Sequence, residues 1–229
     1  MSANQGSNQE QVMERAPAAA KPSRAELLDR WTEILSAIML GLVAMATAWS
    51  GYQSARWGGV QSTKYSEAGA LRVESTRASA LAGQQTQIDV GLFSNWLNAY
   101  ADENLPLEEF YRERFRPEFM PAFKAWLATK PVQNPEAPSS PFAMPEYQLA
   151  ATQQAEDLEQ QASATFDEGK AANQQSDDYI LNAVILASVL FLAGIAPRFD
   201  WLPVRVVIIV IAFLLLALGA YNLVTYPIY

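Results

Sequence analysis

The chain has 229 residues, half of them hydrophobic, a formal charge of −8, and neither histidine nor cysteine. Those two absences exclude a Ser-His-Asp triad, a cysteine nucleophile, disulfides and any histidine- or thiolate-ligated metal. The negative charge resides in residues 53–178, with ten basic and eighteen acidic side chains, a surface that argues against nucleic acid and anionic headgroups as its ligands.

Residues 1–22, rich in Asn, Gln, Ser and Ala with Pro17 and Pro22, read as a disordered tail. Ser23 with Glu26 three residues on forms a capping-box pattern and opens a first transmembrane helix over residues 23–57. Its apolar part, Ile34–Tyr52, runs 19 residues without a charge between Trp31 and Trp49. About 20 helical residues cross a hydrocarbon core of about 30 Å, and tryptophan favours its borders. The run starts late and is full length, so it reads as an anchor rather than a cleaved signal peptide.

Residues 58–178 then form a helical extramembrane insert. No proline occurs until Pro106, which predicts a long stalk helix with Gly58–Gly59 as its weak point. Ile88, Leu92, Phe93, Trp96, Leu97 and Tyr100 give it an apolar face. Asn104 and Pro106 begin a short helix, Pro117 begins another, and Lys130–Pro131 ends it. Five prolines over 131–145 predict a stiff, extended linker. A second stalk starts at Glu146 and enters a second span at 179–196, whose apolar run is Tyr179–Ala196. Pro197–Pro203 makes a turn, and a third span follows at 204–225, flanked by Trp201, Tyr221 and Tyr226. The fold class is therefore all-α: an integral membrane protein with three transmembrane helices and an extended, coiled-coil-like helical insert. At 1.5 Å per residue the stalks differ in length, about 75 Å against about 50 Å. Either the first stalk bends, or residues 106–145 run back along it; the second gives the face at 88–100 a partner.

Four patterns bear on function. Small residues recur every seven positions at Gly41, Ala48, Ala55, Ser62, Gly69, Thr76 and Gly83, beside Ala37, Ala44, Gly51 and Gly58; Ala151, Ala155, Ala162, Gly169, Ala172 and Ser176 keep a similar rhythm. Such stripes let helices approach closely, between stalks or between subunits. Phe110, Tyr111, Phe115, Phe119, Phe123 and Trp126 form an aromatic face, either the core of the insert or a surface for lipid or a protein partner. Arg112, Glu113, Arg114, Arg116 and Glu118 read as its solvated, mutually paired edge. Asp177 and Asp178 stand where the second span begins, the exception among carboxylate pairs that otherwise read as solvated surface without a calcium loop. Asn182 and Asn222 share a depth in an antiparallel hairpin, as interhelical glue or as pore lining.

The stretch Phe115-Arg-Pro-Glu-Phe-Met-Pro-Ala-Phe-Lys-Ala-Trp-Leu, with Asn134-Pro-Glu-Ala-Pro, Met144-Pro-Glu-Tyr147, Asp177-Asp-Tyr and the hairpin after it, resembles a family of uncharacterised bacterial inner-membrane proteins. The resemblance covers most of residues 31–225. It implies a bacterial inner-membrane protein of one span, a helical insert and a two-span hairpin; it carries no activity and no functional residue.

Two functions fit these features. One is a non-catalytic, membrane-anchored assembly or scaffold protein that self-associates or docks a protein partner through the insert, needing lipid but no cofactor, metal or nucleic acid. The other is an oligomeric channel with Asp177 and Asp178 around its mouth. Orientation follows the basic residues: Arg15, Lys21, Arg24, Arg30, Arg198 and Arg205 on one side outnumber Arg56, Lys64, Arg72 and Lys170 on the other. That places the N-terminus in the cytoplasm and the insert in the periplasm or extracellular space. Because the chain has no cysteine, single cysteines at residue 10, Arg198, Pro138 and Tyr229 report topology directly. Only the last two should react with an impermeant thiol reagent added outside; labelling of Pro138 from the cytoplasmic side alone would reverse the orientation.

Overall fold

The computed structural model describes residues 24–229, with side chains from Ala37 onward apart from Leu202. The expected tail and the Ser23 cap lie outside the described residues. Every regular element among the described residues is helical: α1 (Arg24–Ala101), α2 (Leu105–Arg112), α3 (Met120–Ala128), α4 (Ala150–Ile195) and α5 (Leu202–Thr225), with 3-10 turns at Pro141–Ala143 and Ala196–Arg198. They form two compact units, Met1–Gly51 with Ile180–Tyr226, and Tyr52–Tyr179 with Pro227–Tyr229.

Helix α1 runs 78 residues because no proline falls between Pro22 and Pro106 to remove a helical hydrogen bond. Gly58–Gly59 does not break it. Gly58 faces α4 instead, where an added Cβ would lie 3.7 Å from Ser176 Oγ. Asn104 caps α2 as its side chain suits, with Oδ1 accepting from Leu107 N at 3.3 Å. Helix α3 begins later than Pro117, and the proline in its first turn is Pro121. Glu103 and Lys130, at φ 52° and 53°, take the left-handed conformation that terminates α1 and α3.

The linker departs from its expected extended form. Residues 131–147 pass through successive turns and the 3-10 turn at Pro141–Ala143, and Trp126 Nε1 donates to Pro138 O at 2.7 Å. Prolines with preset φ suit tight turns as well as extended chain, and a buried indole N–H needs a partner. Helix α4 consequently starts at Ala150 rather than Glu146.

In the unit containing Tyr52–Tyr179, α1 and α4 run antiparallel in one register. Ser54 Oγ lies 3.0 Å from Ser176 Oγ, the Tyr65 and Phe166 rings stack at 4.9 Å, Ser75 Oγ donates to Ala155 O at 2.8 Å, and Ala82 packs with Leu149. Small residues make that approach possible. Ala151, Ala155, Ala162, Ala172 and Ser176 on α4 are all buried, as are Ala68, Ser75, Ala78 and Ala82 on α1. Beyond Ala82 helix α1 continues for about 28 Å without α4 beside it. The chain from Leu105 to Tyr147 folds back over that length, and Phe93, Trp96, Phe115, Phe119, Phe123 and Trp126 form a buried cluster with Phe142, Met144 and Tyr147 packed on it. The unequal stalks are thus reconciled by the returning chain, with α1 unbroken.

The other unit packs Val43 of α1 with Leu186 and Val189 of α4, and with Leu215, Leu216 and Leu223 of α5. Two helical segments, Ala150–Arg198 and Pro203–Thr225, contain stretches long and apolar enough to cross a membrane, and only 28% and 17% of those stretches are buried by the chain itself. The first expected span, Ile34–Tyr52, begins among residues whose side chains are outside the described set.

A close approach in the antiparallel pair is at Gly169, where a Cβ would fall 2.6 Å from Tyr65 Cδ1 and Cε1 and 3.3 Å from Lys64 Cβ. The tyrosine ring is held against Phe166, so it has little freedom to withdraw. Gly169→Ala should therefore destabilise the protein by about 1–3 kcal/mol through overpacking, despite alanine's better helix propensity. Tyr65→Leu in the same background should recover most of the loss in a denaturant titration.

Candidate functional site

The seven-residue column on α1 does not lie in the intrachain seam. Ala37, Gly41, Ala44, Ala48, Gly51 and Ala55 are all exposed, and so are Ser62, Gly69, Thr76 and Gly83 further along. A Cβ added at Gly41, Gly51, Gly69 or Gly83 would meet nothing within 4 Å. The buried column stands one residue earlier, at Ala68, Ser75, Ala82, Asp89 and Trp96. One residue is 100° of helix rotation, enough to turn the small-residue column away from α4. On α4 the situation is reversed, and the small residues singled out in sequence are those buried against α1.

A polar layer crosses the unit formed by Met1–Gly51 and Ile180–Tyr226, with one side chain from each of three helices. Asn182 of α4 is fully buried; its Nδ2 donates to Ser50 Oγ of α1 at 3.1 Å, and its Oδ1 accepts from Asn222 Nδ2 of α5 at 3.1 Å. Sequence placed the two asparagines at a common depth but missed Ser50, whose signal was only its place on the inward face. Gly219 lets α5 come close, since a Cβ there would sit 2.7 Å from Leu186 Cδ2.

Asp177 and Asp178 each bond along α4. Asn173 Nδ2 donates to Asp177 Oδ2 at 3.2 Å and Gln174 Nε2 to Asp178 Oδ1 at 3.0 Å, both pairs being one turn apart on α4. In the same unit the Pro227–Tyr229 segment docks on α1. Trp57 Nε1 and Tyr179 Oη donate to Pro227 O at 3.2 and 3.3 Å, Tyr229 N donates to Gln53 Oε1 at 3.1 Å, and the Arg56 guanidinium lies over the Tyr229 ring at 4.7 Å.

The aromatic face divides. Phe115, Phe119, Phe123 and Trp126 are buried, edge to face with one another and with Phe93 and Trp96. Phe110 is exposed instead, on α2, beneath the Arg114 guanidinium at 3.4 Å. The charged edge divides as well. Arg112 pairs with Glu109, but Arg116 turns inward and donates through Nη1 to Asp89 Oδ2 at 3.0 Å, while its Nη2 holds Glu118.

Asp89 is the centre of a buried cluster that sequence alone did not reveal; its one signal was an acid on the apolar face between Ala82 and Trp96. Its side chain is 0% exposed, and Tyr147 Oη donates to its Oδ2 at 3.0 Å, with Thr86 Oγ1 3.3 Å from the same hydroxyl. Oδ1 has no hydrogen-bond partner. Burial pushes the Asp89 carboxyl above the ordinary aspartate range, and the Tyr147 and Arg116 contacts only partly offset it. Burial likewise raises the Tyr147 phenol, assisted by the hydrogen bond to Asp89, which keeps it a protonated donor at neutral pH. Three separate segments meet here: α1, the 113–119 turn, and the chain entering α4. Their mutual hydrogen bonds hold those segments together as a latch.

No protein-family model, curated protein or solved structure matches this chain. What the molecule does is therefore read from its own surfaces.

The Asp89 cluster sets a pH trend of unusual sign. A folded-state carboxyl raised above its unfolded value binds its proton more tightly in the native protein. Its contribution to stability is complete below about pH 4 and is lost as pH rises through the raised value. Asp89→Asn keeps an acceptor for Tyr147 and Arg116 without the buried charge. It should match the parent at pH 4 and gain on it in denaturant titrations towards pH 7; a parent that gains on the variant instead would mean the Arg116 pair outweighs burial.

Proposed function

We propose that this chain is a non-catalytic, membrane-anchored helical assembly protein that associates with further copies of itself. The observation that carries the reading is the exposed column of small residues on α1, from Gly41 to Gly83, facing away from α4 with open space over each glycine. The same residue types allow α4 and α1 to approach within the chain, so the outer face of α1 offers a second copy the same kind of contact. In this reading the α1 segment around Ile34–Tyr52 is a third span beside those of α4 and α5. A helix that is apolar all round and left open by its own chain suits lipid. The N-terminus lies in the cytoplasm of a bacterial inner membrane, Tyr52–Tyr179 projects outside, and the paired stalks associate as a coiled-coil-like bundle. The absence of histidine and cysteine supports a role without catalysis, and the latch at Asp89 ties together the segments of the insert offered to a protein partner.

An acid-mouthed channel has less support. Asn182, buried and bonded through both ends of its amide, is unavailable to line a lumen, and Asp177 and Asp178 bond within their own helix.

Gly41→Leu, Gly69→Leu and Gly83→Leu should shift the detergent-solubilised protein from oligomer towards monomer in sedimentation. The unfolding midpoint should be preserved, because none of the three faces α4. A parent that is monomeric at micromolar concentration, or variants that keep the parent's mass, would overturn the proposal.

A further inference from the structure

A groove of about 410 Å³ opens among α1, α4 and α5 in the unit formed by Met1–Gly51 and Ile180–Tyr226, next to the Ala196–Arg198 turn. Its walls are apolar, with Met39 and Val43 on one side, Val189 and Ala193 on the second, and Ile209 and Leu216 on the third. Arg205 is the single charged residue lining it. That guanidinium is exposed and makes no ion pair with any described carboxylate. Arg198 stands in the neighbouring turn and Asp200 follows it, but neither lines the groove.

The dimensions fit one kind of occupant. From Arg205 to Leu216 helix α5 rises about 16 Å, about half of a 30 Å hydrocarbon core. Its volume falls within the range of about 300–1,000 Å³ in which proteins bury small ligands. The charge is confined to one end and the remainder is hydrocarbon-like, the polarity of a lipid in a single leaflet. Basic pockets between membrane helices hold anionic headgroups by this division of labour.

We propose that the groove binds one anionic phospholipid, with its phosphate on Arg205 and an acyl chain along Val43, Val189 and Ile209 towards Leu216. The site rests on the reading of this unit as membrane-embedded, and goes beyond the assembly role. The chain's net negative charge lies in the insert, outside this unit, so it does not oppose binding here.

The test is native mass spectrometry of the full chain in nonionic detergent. Phosphatidylglycerol is titrated in parallel with phosphatidylcholine of identical acyl chains. Phosphatidylglycerol should be retained at a stoichiometry of one, and Arg205→Gln should weaken its binding about fivefold, the worth of one basic residue at a lipid surface. Arg205→Lys should retain the preference, and Ala193→Phe, which fills the groove, should abolish retention of both lipids. Arg198→Gln should leave binding unchanged, because Arg198 does not line the groove; an equal loss there would reduce the effect to general basic attraction and overturn the site. Undiminished phosphatidylglycerol binding in both Arg205→Gln and Ala193→Phe would overturn it too. If the protein fractionates as soluble without detergent, the membrane reading itself fails. If it needs detergent yet binds the two lipids alike, only the lipid site fails.

Discussion

Helices α1 and α4 can lie side by side over much of their length because α4 presents nothing bulkier than alanine or serine at Ala151, Ala155, Ala162, Ala172 and Ser176, and no side chain at all at Gly169. Close approach brings Ser75 within reach of the Ala155 carbonyl and lays Tyr65 over Gly169. Those two contacts are specific to one register. Once that register is set, the surplus of α1 beyond Ala82 is fixed too. It leaves one apolar face that the intervening chain must cover, and the aromatic cluster, the proline turns and the Asp89 latch all serve that covering.

The two units solve a similar packing problem with different polar chemistry. Among the apolar contacts around Val43, Leu186 and Leu216, a row of neutral groups, Ser50, Asn182 and Asn222, fixes how three helices face one another. Around Phe93 and Phe123 an ionisable acid does the fixing. Its burial is costly enough to raise its proton affinity, and Arg116 and Tyr147 reduce that cost without removing it. Neutral amides exact a smaller desolvation penalty than a carboxylate. Each buried polar cluster is tied to residues distant in sequence, so each constrains topology more than it adds stability.

Much of this was legible beforehand, and the failures have identifiable causes. Long proline-free stretches announced α1 and α4, and Asn104 announced α2, because these are local backbone rules. The proline linker misled, since proline fixes φ in a turn as readily as in extended chain, and Trp126 had to be in place before Pro138 had a donor to receive. The small-residue column on α1 was legible in sequence, but which of its two expected neighbours, α4 or a second copy, it faces was not. A repeat of seven shows that some face is special, and an error of one residue decides whether that face looks inward or outward. Asp89 was hidden because its partners, Arg116 and Tyr147, are 27 and 58 positions away, and nothing local distinguishes an acid that will be buried from one that will be solvated.

The fixed register between Ser54–Ser176 and Ala82–Leu149 also bears on how such a chain can change in length. Deleting one residue from α1 inside this stretch would rotate everything beyond it by 100°. Ala68, Ser75 and Ala82 would turn to solvent and the latch would swing out of line with its aromatic cover. Loss or gain of a whole seven-residue block in α1 preserves the facing side, but leaves α4 out of step unless it changes equally. Length variants of this architecture are thus expected to come as paired insertions or deletions, seven residues in each helix, so that the stalk grows or shrinks like a ladder losing whole rungs.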